Sequence, residues 1–183
     1  MPGVFLAPVC GADLDALLAF EVGNRAFFEA RINARPAGYY AREAVAAAIG
    51  AAEADARAGF GFQYLVRDDA GQLVGRVNFS RVRRAHFHAA ELGYRIGEAF
   101  NGRGHATAAV QCALVLAFGE LGLRRVEAVT MVGNAGSIRV LERNGFQRFG
   151  RSTRSFELGG HWHDTLHFER HADQAADATA PRA

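Results

Sequence analysis

The heptapeptide Asn101-Gly102-Arg103-Gly104-His105-Ala106-Thr107 carries the plainest chemistry in this chain. It follows an alternating run, Leu92-Gly93-Tyr94-Arg95-Ile96, and precedes a strongly helical pattern. A turn of small residues at a helix start presents main-chain N–H groups that have no partner inside the helix. The positive end of the helix dipole lies at the same place, and together these favour an anion. Gly102 and Gly104 have no Cβ, so a phosphate can come close to the backbone. The chemistry suggested is a pyrophosphate cradle. A dinucleotide fingerprint belongs near the front of a first strand–helix–strand unit, whereas this turn lies in the middle of the chain.

A second constellation is Asn134-Ala135-Gly136-Ser137-Ile138-Arg139-Val140-Leu141-Glu142-Arg143-Asn144-Gly145-Phe146. Asn144-Gly145 reads as a left-handed helix stop and Phe146 as a core aromatic. Asn134 and Ser137 have the side chains that cap helices. A third is Glu91. The period of two along a strand puts Glu91, Gly93 and Arg95 on one face and Leu92, Tyr94 and Ile96 on the other. A carboxylate there could take a proton from an ammonium group, directly or through water. The competing reading is a salt bridge, with Arg95 or at an edge. His161-Trp162-His163-Asp164 could in principle ligate metal, but no further Cys or carboxylate cluster completes a site, so a polar cleft-lining strand is the preferred reading.

The elements that must position these groups follow from the pattern. Val4 to Pro8 reads as a strand, then a helix over 14–30 with Asp13 as its cap. Pro36 and Gly38 break the chain. An Ala-rich helix over 43–58 closes at Gly59 and Gly61. Strands over 63–67 and 73–82 flank the turn Asp68-Asp69-Ala70-Gly71, and a strand over 87–96 precedes the cradle. Ala106, Ala109, Val110, Ala113, Leu114 and Ala117 form one stripe of a helix over 105–121, which Gly122 is expected to end. A strand over 125–132, a helix over 135–143, and strands over 146–158 and 162–170 complete the order. Periodicity alone gives an α/β or α+β domain.

These motifs resemble the GNAT N-acetyltransferases. The acyl-CoA signature of that family, Gln/Arg-x-x-Gly-x-Gly/Ala, is matched by Asn101-x-x-Gly104-x-Ala106, with Asn in place of the usual first residue. Its Asn-x-x-Ser-x-x-(Val/Leu)-x-x-x-x-Gly-Phe block is matched from Asn134 to Phe146. Val74-Gly75-Arg76-Val77-Asn78-Phe79-Ser80, Phe87-His88-Ala89 with the strand that follows, and Trp162-His163-Asp164-Thr165-Leu166 look like the Rim-type branch, the alanine N-acetyltransferases of ribosomal proteins. The resemblance covers nearly all of the chain to about residue 170. It implies a single GNAT-like domain over 1–171, with a mixed, mostly antiparallel sheet whose fourth and fifth strands splay apart, flanked by helices. It implies acetyl-CoA as cosubstrate and direct transfer to a primary amine. Cofactor contacts would come from Tyr94, Arg95 and Ile96, from the turn Asn101 to Thr107, and from Asn134, Ser137 and Arg139. Catalysis would fall to Glu91, Ser137 and Asn134. The loop 34–40 would help form the acceptor site. The acceptor would be a protein N-terminal alanine, a ribosomal protein being the expected partner. A polyamine, amino sugar or antibiotic is the alternative, and a non-catalytic acyl-CoA binder is a third.

Length and composition bound the rest. The 183 residues fit one domain, with 172–183 an Ala/Asp-rich tail. A net charge of +2 does not call for nucleic acid; the clusters Arg81 to Arg84 and Arg148 to Arg154 read as solvated faces. No apolar run reaches the roughly 20 residues of a membrane span, and residues 1–9 lack the features of a secretory signal. Cys10 and Cys112 read as buried small apolar residues of a reducing cytoplasm, which argues against an acyl-cysteine route through Cys112. Monomer and homodimer both remain open.

Overall fold

The computed structural model describes residues 2–172; the tail expected over 172–183 lies outside them apart from Ala172. Seven strands form one sheet in the order β1-β2-β3-β4-β5-β7-β6. They are β1 (Val4–Pro8), β2 (Phe62–Asp68), β3 (Leu73–Arg83), β4 (Ala89–Ile96), β5 (Arg125–Met131), β6 (Gln147–Leu158) and β7 (His161–His171). The helices are α1 (Leu14–Gly23), α2 (Arg25–Glu29), α3 (Arg42–Ala58), α4 (His105–Phe118) and α5 (Ala135–Arg143). Every pairing is antiparallel except β4 with β5.

Helices cover both faces. Alternation along β2 sends Tyr64 and Val66 into the core under α4, where Ala109, Val110, Ala113 and Ala117 are fully buried. Leu65 points the other way, against Leu17 of α1 and Val45, Ile49 and Ala52 of α3. The apolar stripe of α4 thus packs as its three-and-four spacing requires. Removal of this much apolar surface from water is the main force holding the helix to the sheet.

Several boundaries differ from the expectation. The first long helix is two, because the Asn24 side chain donates to the Phe20 carbonyl at 2.9 Å and accepts from Glu98 N–H at 2.8 Å. Asn24 therefore ends α1 by tying it to the turn that follows β4. Asp13 precedes α1 without capping it; its carboxylate accepts from the Cys10 N–H at 3.0 Å and from Arg67 at 2.7 Å. The α4 helix stops at Gly119 rather than Gly122, whose φ of +61° belongs to the following turn. Cys10 is exposed, and Cys112 is half-buried with its Sγ 3.6 Å from the Val4 carbonyl, so neither is the buried core residue expected. Gly59 and Gly145 end α3 and α5 with φ of +74° and +76°, as left-handed stops should.

Candidate active site

The parallel pairing of β4 with β5 is short: Ala89, Ala90 and Glu91 face Arg125, Val126 and Glu127, and there it ends. Beyond Glu91 the strands diverge. β5 continues against β7 as far as Met131, while β4 continues against β3 as far as Ile96. The rest of β4 therefore has an edge that opens on a splay. Gly97 N–H donates back to the Val74 carbonyl on β3 at 2.9 Å. Because strand backbone alternates in direction, the N–H groups of Tyr94 and Ile96 turn toward the splay, and that of Arg95 turns toward β3.

The glycine turn lies directly past the end of this edge. Gly102 and Gly104 have φ of +74° and +89°, values that favour glycine. Nothing lies within 4 Å of a Cβ built on Gly102, and one on Gly104 would meet only the Pro2 ring, at 3.2 Å. Ala108 N–H donates to the Gly104 carbonyl at 3.0 Å, so the first-turn N–H groups of α4 are left at the helix end. The glycine turn and the open helix start expected from the sequence are therefore present. Two side chains there turn inward, however. Asn101 holds the Ile96 and Gly97 carbonyls at 3.1 and 2.8 Å, bracing the end of β4. His105 is buried, with Nδ1 3.2 Å from the Phe100 carbonyl. These two residues can offer an anion their main chain only. Arg103 and Arg139 are exposed, with no ion pair to any described residue.

On the far side of the splay, Asn134 caps α5 by accepting the Ser137 N–H at 3.1 Å. The Ser137 hydroxyl meets the Tyr94 hydroxyl at 2.9 Å. Burial pushes the Tyr94 phenol up to about 12, the Ser137 bond acting weakly the other way, so Tyr94 keeps its proton at neutral pH. One hydrogen bond thus spans from β4 to the first turn of α5. Asn144 ties the end of α5 to the start of α4, donating to the Thr107 carbonyl at 3.2 Å.

The opposite face of β4 is polar. Glu91 is the last residue of β4 with a β5 partner, and its carboxylate is 3.0 Å from Arg81. The ion pair considered with Arg95 does not form. Arg95 points instead to Glu21 of α1, which is 1% exposed and receives Arg95 and Arg76 on the same oxygen, each at 2.5 Å. Burial pulls the Arg95 guanidinium down to about 10 against the pull of Glu21; it stays charged at neutral pH. The family resemblance groups Arg95 with Tyr94 and Ile96, but its side chain and its N–H both face away from the splay. This cluster was missed in the sequence; the alternation of Arg76, Asn78 and Ser80 along β3 was the available signal.

On β7, Asp164 binds Arg151 at 2.5 Å and the Arg154 N–H at 2.9 Å. Among the described residues no group of three His, Cys, Asp or Glu could hold a metal ion, and no helix is long and apolar enough to cross a membrane.

Comparison with known proteins bears on this geometry. Residues 4–147 match the family described as acetyltransferase (GNAT) domain. A probable N-acetyltransferase, YjcK, of Bacillus subtilis is 33% identical over 165 residues, covering 88% of this chain and 90% of its own. The [ribosomal protein uS5]-alanine N-acetyltransferase of Escherichia coli is 33% identical over 96 residues, about half of each chain at 52% and 50%. Among solved structures, Mycobacterium smegmatis RimJ in complex with CoA-disulfide superposes with a TM-score of 0.85 at 26% identity, over 97% of this chain and 84% of that one.

Proposed function

This chain belongs to the acetyltransferase (GNAT) family, and we propose that it carries acetyl from acetyl-CoA to the α-amine of a protein N-terminus that begins with a small residue such as alanine, in the cytoplasm. It is an N-acetyltransferase, and acetyl-CoA is its cosubstrate. The observation that carries the reading of the site is the alignment of the β4 edge with the glycine turn. One extended ligand can lay its phosphates on the start of α4 and its amide arm along Tyr94 and Ile96, as an added strand. The acceptor is supported by the likeness to the uS5-alanine enzyme over about half the chain.

The geometry supports the following division of roles. The main-chain N–H groups from Gly102 to Thr107 hold pyrophosphate, with Arg103 and Arg139 free to add charge. Asn134 fixes the first turn of α5. The Ser137 hydroxyl protonates the departing thiolate, and Tyr94 holds it in place. A strand N–H near Ile96 stabilises the oxyanion of the tetrahedral intermediate. Glu91, directly or through water, takes the proton of the attacking ammonium. Holding the two reactants together supplies much of the remaining rate.

Thiol release from acetyl-CoA across free-N-terminal peptides, polyamines and aminoglycosides tests this. Turnover on alanine-ended peptides is expected; turnover on polyamines or aminoglycosides alone would overturn the protein acceptor. Glu91→Gln gives a sharper test of the base. An α-amine titrates near about 8, so below that pH a base is needed and above it less so. The variant should lose about tenfold in rate near neutrality, with the loss shrinking as pH rises through the amine pKa. A pH–rate profile matching the parent would remove Glu91 from the mechanism.

A further inference from the structure

Arg76 and Arg95 are register partners on adjacent strands, and both lean on one carboxylate oxygen of Glu21. Two guanidinium groups offer ten N–H donors between them. Glu21 and Gln63 accept from them at 2.5 and 2.6 Å, and the Tyr39 hydroxyl lies 3.4 Å from Arg76. Most of the donors therefore have no acceptor among the described residues. The Arg76 and Arg95 side chains are 14% and 16% exposed, and no nitrogen of either is both buried and unpaired. Their spare donors reach solvent on the face where α1, α2 and the loop before α3 meet the sheet.

The surroundings leave this charge uncompensated. Glu29, on α2, is paired with Arg25 at 2.9 Å. Arg35 stacks on the Tyr39 ring at 4.6 Å and brings a further positive charge toward Arg95. The Arg95 guanidinium also lies over the Phe28 ring, at 4.9 Å. Four guanidinium groups thus face two carboxylates. The planar donor fork suits a carboxylate or phosphate, and a like-charged ammonium would be repelled.

We infer that the Arg76–Arg95 pair is an acceptor-recognition site that binds an anionic group on the acceptor, in the first instance an acidic side chain close behind the N-terminal residue. This rests on the reading above that Glu91 takes the acceptor's proton, which puts the acceptor over the face of β4 that carries Glu91 and Arg95. Glu91 and Arg95 lie on the same face of that strand, four residues or roughly 13 Å apart. A peptide with its amine toward Glu91 can set its second or third side chain on the arginine pair. A polyamine would bring its distal ammonium to the same place and meet repulsion.

The test is the ratio of kcat/KM within a peptide series that differs only at positions two and three, carrying Asp or Glu, Asn or Gln, or Lys. The parent enzyme should favour the acidic member over the amide by at least about tenfold, and over lysine by more. In Arg95→Gln and Arg76→Gln that ratio should fall to about twofold. Each ratio is internal to one preparation, so a general loss of rate in a variant does not disturb it, and should a variant fail to fold the parent series still decides. Peptide turnover indifferent to charge, or best with lysine, would overturn the inference and leave the protein-acceptor reading standing. If only small amines are turned over, that reading falls. Preference for glutamate over spermidine would then support the anion site, and preference for spermidine would overturn it. Silence on both panels would overturn the site together with the reading.

Discussion

Replacing Gly104 by glutamate should reduce CoA affinity by at least about 100-fold and abolish acetyl transfer. Three effects act together. The position has φ of +89°, where a non-glycine residue costs roughly 1–2 kcal/mol. A Cβ would lie 3.2 Å from the Pro2 ring, so that ring must give. Above all, the new carboxylate would stand at the start of α4, where a phosphate needs the N–H groups and the positive helix end. Gly104→Ala separates these effects, because it keeps the backbone and packing cost without the charge. It should lose only about tenfold. Calorimetric titration with CoA checks both variants, and a retained thermal unfolding transition shows that the fold survives. Unchanged affinity in Gly104→Glu would mean that the phosphates lie elsewhere.

Ser137→Ala should lower kcat by about 100-fold, within the range for loss of a positioned proton donor, while CoA affinity stays within about twofold. That split matters because Asn134 caps α5 through the Ser137 main-chain N–H, which alanine keeps. The helix should therefore remain intact while the hydroxyl is lost. Tyr94→Phe should cost less, about tenfold, because it removes only the group 2.9 Å from Ser137. Since Tyr94 and Ser137 would act as one unit, the double variant should be scarcely slower than Ser137→Ala alone. Steady-state kinetics on the four proteins checks this. Additive losses would show that the two hydroxyls act separately, and an unaltered Ser137→Ala rate would remove Ser137 from the chemistry.

Local features were legible in the sequence because they depend on neighbours a few residues away. The glycine turn, the apolar stripe of α4 and the Asn144-Gly145 stop all appear where spacing put them. The break of the first helix at Asn24 also had a signal, the Gly23-Asn24 pair, but its cause is distant: the side chain reaches Glu98. What could not be read were contacts set by register between remote strands. Glu21 is 55 and 74 residues from its two arginines, and nothing local marks it as buried. Tyr94 meets Ser137 across 43 residues, only because β4 and β5 part after Glu91. The family resemblance supplied the splay itself. It did not separate Arg95 from Tyr94 and Ile96, since a one-residue step along a strand reverses both side chain and N–H.

That separation gives the most direct measurement: backbone amide NMR of the protein titrated with CoA. The signals of Tyr94, Ile96, Gly102, Gly104 and the first turn of α4 should move together with one saturation curve, while Arg76 and Glu21 stay nearly fixed. Movement centred on the Arg76–Arg95 face, with the glycine turn silent, would contradict a CoA site between β4 and β5.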